Sequence, residues 1–172
     1  MGLDVKRISQ RRQTIVAERR EQLVACAEAV ANLATHREIK PMLAGHVKHD
    51  LAIRQILDTI VRCWTTTPRF ISAGAARSGA KRPKDHVVPV RVLVDRMIMN
   101  PSECRVLLDT AVILATITPE EHRKLGGIFT HFEELYGRML VADVLQLPEL
   151  GHERYFIKKI KLQPMFRRSG RV

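Results

Sequence analysis

The sequence predicts a mainly α-helical fold with one small antiparallel β-hairpin-like pair of strands. Three observations lead there. Apolar residues recur at helical spacing over residues 11–37 and again over 50–64. Two short runs break that period, Asp85-His86-Val87-Val88-Pro89 and residues 111–117, and both are rich in β-branched side chains. Thr118-Pro119-Glu120-Glu121 then has capping-box spacing with proline at the first helical position, so a helix starts near Pro119.

Composition narrows the function classes. The chain has 172 residues, 45% hydrophobic and 27% charged, the balance of a globular protein with a real core rather than a disordered one. A single domain over 1–172 is expected, with an N-terminal helical part (10–71), a central part (72–147) and a basic C-terminal segment (148–172). Lys+Arg 29 against Asp+Glu 18 gives +11, which favours a polyanionic partner, nucleic acid before membrane. Aromatic residues are only 5%, so a stacking platform for single strands is poorly supported. Cys26, Cys63 and Cys104 are far apart, without zinc-knuckle spacing. Buried free thiols in a reducing compartment are expected. No apolar run is long enough to span a membrane and no signal-peptide core is seen, so a cytoplasmic location is expected.

The elements follow in order. Residues 1–9 are expected to fray. The first apolar stripe runs through Ile15, Val16, Leu23, Val24, Ala27, Val30 and Leu33. The second runs through Leu51, Ile53, Ile56, Leu57, Ile60 and Val61 to Trp64, the only tryptophan, expected in the core. Pro41 and Gly45 separate the two helices. His36, His46 and His49 lie around that break and read as surface histidines before a metal site. A helical turn is expected at 69–71. Residues 72–84 are small and basic, either a linker or a loop that grips phosphate. Two helices are expected within 90–109, between a strand at 86–90 and a strand at 111–117. The helix from Pro119 bends at Gly126-Gly127 and resumes to about Leu147, ahead of Pro148. The tail from Arg154 carries many cations and no acid, and Tyr155, Phe156, Ile157, Ile160, Leu162, Met165 and Phe166 are expected to dock part of it.

Asp85 and His86 carry the chemistry. A carboxylate can hold a hard divalent cation, and an imidazole can take a proton from water near neutral pH. The string Asp85-His86-Val87-Val88-Pro89 resembles the first half of the HNH (ββα-metal) nuclease motif. The stretch from Ala111 through Thr118-Pro119-Glu120-Glu121-His122 to Leu125 is similar to its second half, an apolar strand running into a ligand-bearing helix. The resemblance implies a ββα-metal core with helices inserted between its two strands. It implies that Asp85 and His122 bind a divalent metal ion (Mg2+ or Mn2+ ahead of Zn2+ or Ni2+) and that His86 is the general base of an endonuclease, DNA favoured over RNA. The family's middle Asn has no clear counterpart in this chain.

Charge adds candidate phosphate contacts: Arg77, Lys81, Arg82, Lys84, Arg91, Arg123, Lys124, Lys158, Lys159 and Lys161. An inhibitor or partner protein is a further possible partner. Two other readings fit the same residues: a basic nucleic-acid-binding protein in which His86 and His122 are structural, and a helical regulatory or interaction protein whose charge serves solubility.

Overall fold

The two long apolar stripes become two long helices that pack on each other. They are seen in a computed structural model that describes residues 2–35, 48–65, 67–78, 82–126 and 133–165. Helix α1 (Gly2–Thr35) buries Val24, Ala27, Ala31 and Ala34, one narrow stripe of mostly small side chains. Small residues let helix α2 (Lys48–Trp64) approach closely through Ile53, Leu57, Ile60 and Val61. Trp64 is buried as expected, with the Arg20 guanidinium 5.0 Å over its ring. Two expectations are corrected. The helix begins at Gly2 rather than after a frayed start, because nothing from Leu3 to Ala34 breaks it. Val16 and Leu33 of α1, and Leu51 and Ile56 of α2, are exposed and lie off the packed stripes.

Helix α3 (Ala73–Arg77) occupies part of the expected linker, and the Ser72 hydroxyl accepts its Ala75 N–H at 2.9 Å. Helix α4 (Val90–Met99) packs against α1 and α2 with Val92, Leu93 and Met97 fully buried. A 3₁₀ turn (Pro101–Glu103), a short helix α5 (Cys104–Val106) and a π-helical turn (Leu107–Ala111) follow. Helix α6 (Pro119–Gly126) is next, then helix α7 (Glu133–Val141), a 3₁₀ turn (Val144–Gln146) and helix α8 (Leu147–Ile157). Pro148 was expected to end a helix and instead sits in the first turn of α8, where its missing N–H costs nothing.

The expected strand pair exists within a larger sheet. Strands β1 (Phe70–Ser72), β2 (Lys84–His86), β3 (Leu114–Thr116) and β4 (Leu162–Pro164) lie in the order β2-β3-β1-β4. Strands β2 and β3 are antiparallel, with Asp85 opposite Ala115 and His86 opposite Leu114. Strand β1 runs parallel to β3 and antiparallel to β4. A four-stranded mixed sheet therefore replaces the expected hairpin. Of residues 69–71, expected as a helical turn, Phe70 and Ile71 instead form the first two positions of β1.

The strand bounds also shift. Pro89 has no N–H for a ladder and stands just before α4, so β2 ends at His86 rather than 90. The π-helical turn takes Ala111, so the second strand covers 114–116 rather than 111–117. One more bond, Val87 N–H to the Ile113 carbonyl at 2.8 Å, extends the pairing.

Cys104 is buried, and burial pushes its thiol up to about 12, while Cys26 and Cys63 are exposed, against expectation. Phe156, Ile157 and Met165 are exposed as well and Leu162 is half-buried, so Tyr155 and Ile160 are the buried members of that group among the described residues, and Phe166 lies outside them. No described helix is long and apolar enough to cross a membrane. His36, His46, Lys81, His131 and the end of the basic tail lie outside the described residues.

Candidate active site

Strand β2 brings Asp85 and His86 to the wall of a cleft of about 820 Å3 between α2, α4, α6 and α7. His122 reaches the same cleft from the first turn of α6. Its position follows from local chemistry. The Thr118 hydroxyl accepts the Glu121 N–H at 3.1 Å, and the Glu121 carboxylate accepts the Thr118 N–H at 2.8 Å, the reciprocal capping box that the sequence predicts. The buried Ser72 hydroxyl also donates to Glu121, tying the end of β1 to the start of α6. Gly74 makes room for this, since a Cβ there would stand 2.7 Å from Glu121 Oε1.

Asp85 Oδ1 lies 3.9 Å from His122 Nε2. That distance lets one cation contact both atoms at about 2.0–2.3 Å. Among the described residues no group of three or more His, Cys, Asp or Glu side chains could hold a metal ion. A carboxylate oxygen and an imidazole nitrogen fit a hard divalent ion that keeps several of its waters, and do not fit a closed structural zinc site.

The other carboxylate oxygen, Asp85 Oδ2, accepts from the Arg154 guanidinium and from the Tyr155 hydroxyl, both on α8. Arg154 also donates to the His86 carbonyl at 2.9 Å. Burial, and after it the Asp85 charge, pushes the Tyr155 hydroxyl pKa up, so the group stays a neutral donor. Burial first, then the Arg62 charge, pushes the His86 imidazole below its ordinary value of 6.5, so it is neutral near pH 7. The His86 Nε2 atom is buried and finds no hydrogen-bond partner among the described residues. A polar nitrogen in that state suits a site that takes up a water or a ligand oxygen.

The sequence-predicted residues divide. Lys84, Asp85, His86, Arg91 and His122 line one cleft. Arg77, Arg82, Arg123, Lys124, Lys158, Lys159 and Lys161 are not among its lining residues. Arg82 folds back so that its Nε donates to the Ser78 carbonyl at 3.0 Å. Arg54, Arg62 and Arg154 are cleft residues that sequence reasoning missed. Arg154 was read as a tail cation and is 7% exposed, turned inward against Asp85.

No protein-family model, curated protein or solved structure matches this chain.

Proposed function

We propose that this chain is a metal-dependent endonuclease of HNH type that hydrolyses nucleic-acid phosphodiester bonds, DNA ahead of RNA. One observation carries the reading. Asp85 and His122, far apart in sequence, meet at 3.9 Å where an antiparallel strand pair leads into α6. The order strand, strand, helix supports a ββα-metal core, with α4, α5 and the π-helical turn inserted between the two strands. Asp85 Oδ1 and His122 Nε2 would hold the cation. Bound there, a divalent ion would polarise the phosphate and stabilise the leaving oxygen. His86, neutral near pH 7, would take the proton from water. Lys84 and Arg91 on the cleft wall would neutralise phosphate charge, and the outer cations would steer the polyanion.

The test is plasmid and RNA incubation with Mg2+, Mn2+, Ni2+ or EDTA. Wild type should cleave only with metal. His86→Ala should lose about 10²–10⁴-fold in rate and keep its nucleic-acid affinity. Tight, salt-sensitive binding with no cleavage under any metal would reject the nuclease and favour the basic binding protein.

A further inference from the structure

We propose that Arg154 and Tyr155 are positioning residues that hold the Asp85 carboxylate by Oδ2 and so aim Oδ1 at the cation shared with His122. The proposal rests on the nuclease reading only in taking Asp85 and His122 as cation ligands.

The geometry of the clamp supports it. Arg154 is 7% and Tyr155 1% exposed, so a charged group and a hydroxyl have both been taken out of water. A guanidinium that serves only as a counter-ion prefers the two-pronged fork against both carboxylate oxygens. Here a single nitrogen, Nη2, meets Asp85 Oδ2, the His86 carbonyl and the Tyr155 hydroxyl, and Nε is buried without a partner. Arg154 therefore engages one carboxylate oxygen and spares the other. Tyr155 adds a second donor to that same oxygen. The bond to the His86 carbonyl also fixes the His86–Val87 peptide, so the clamp holds Asp85 by its side chain and His86 by its backbone.

Two effects of Arg154 oppose each other. Its bonds orient the carboxylate, and its charge repels a cation at Oδ1. Tyr155 is neutral and removes only the first effect, which makes it the cleaner probe. Partners that orient a ligand are worth about 10–100-fold in metal affinity.

The experiment measures Mn2+ binding to the purified full chain by calorimetry, with thermal melts alongside. Tyr155→Phe should weaken Mn2+ affinity by about 10-fold, and saturating Mn2+ should restore cleavage. Arg154→Lys keeps the charge on a side chain one bond shorter, which draws the donor back from Asp85 and the His86 carbonyl, so it should also weaken Mn2+ affinity. His86→Ala should leave Mn2+ affinity unchanged. Arg154→Lys also answers the question if Tyr155→Phe does not fold. A lower melting temperature with wild-type Mn2+ affinity in the folded variants would overturn the proposal and leave the clamp as ordinary core. Wild type that binds Mn2+ and cleaves nothing would overturn the nuclease while the affinity loss still supported the clamp. Wild type that binds no Mn2+ would overturn both.

Discussion

Gly151 faces the Val87 carbonyl so closely that a Cβ at residue 151 would stand 2.8 Å from that oxygen. The contact seats α8 directly on the segment that follows Asp85 and His86. It is why Arg154, one helical turn further on, can reach Asp85 at all. Gly151→Ala should push α8 off this seat and destabilise the protein by about 1–3 kcal/mol, the usual cost of overpacking. Denaturant melts check this, and a stability equal to wild type would show that α8 has slack at Val87.

A second lock concerns α6. Glu121 closes the capping box and accepts from Ser72, so it fixes the helix that carries His122. Glu121→Ala should cost about 1–2 kcal/mol. It should also raise the Mn2+ concentration needed for cleavage. Loss of stability with unchanged metal requirement would confine Glu121 to the fold.

Stability should fall on acidification. His152 packs edge-on against Phe70, with ring centroids 4.6 Å apart, and burial lowers its pKa below 6.5. The unfolded chain takes up a proton on His152 near 6.5, and the folded chain does so only at lower pH. Acid therefore favours the unfolded state, and the stability present above 6.5 is lost as pH falls through the folded value. His86 acts in the same direction. Melts from about pH 8 to about pH 5 should show a falling midpoint, and His152→Phe should flatten part of the slope. An unchanged slope in that variant would remove His152 from the account.

Lys159 adopts a left-handed φ of 56° where α8 ends, and the Ile160 N–H closes on the Tyr155 carbonyl at 2.9 Å. Glycine suits that conformation better. Lys159→Gly should stabilise the fold by about 0.5–1 kcal/mol. If Lys159 also meets phosphate, the salt slope of nucleic-acid binding should fall by about one. A stabilised variant with an unchanged slope would take Lys159 out of the interface.

Lys84 and Arg91 make the corresponding test at the cleft. Reversing both, Lys84→Glu with Arg91→Glu, should weaken nucleic-acid binding and flatten its salt dependence more than the same change at Arg123 and Lys124. Equal effects at both pairs would place the phosphate path outside the cleft.

What the sequence makes legible is local. The α2 stripe and the box at Thr118 and Glu121 depend on neighbours within one or two helical turns, and both are observed. The β-branched runs around Val87 and Ile113 show that two segments pair, although Pro89 and the π-helical turn move the bounds. Strands β1 and β4 have three residues each, too few for an alternating pattern to stand out. Asp85 stands out in the sequence as a carboxylate beside an imidazole, and His122 only through the resemblance to the second half of the HNH motif. Arg154 was missed as part of the site because a cation count treats every guanidinium alike, whereas the fold turns this one inward.

The sheet order has a consequence for synthesis. Strand β1 is paired on one side by β3 and on the other by β4, which comes more than ninety residues later. Ribosomes add about 5–20 residues each second, so β1, Asp85 and His122 emerge seconds before Arg154, Tyr155 and β4. Throughout that interval the Asp85 carboxylate has neither of its α8 donors, and one flank of β1 awaits its strand. The catalytic arrangement proposed for this chain is thus completed late, after translation has passed β4, and a growing chain on its messenger carries an unfinished cleft.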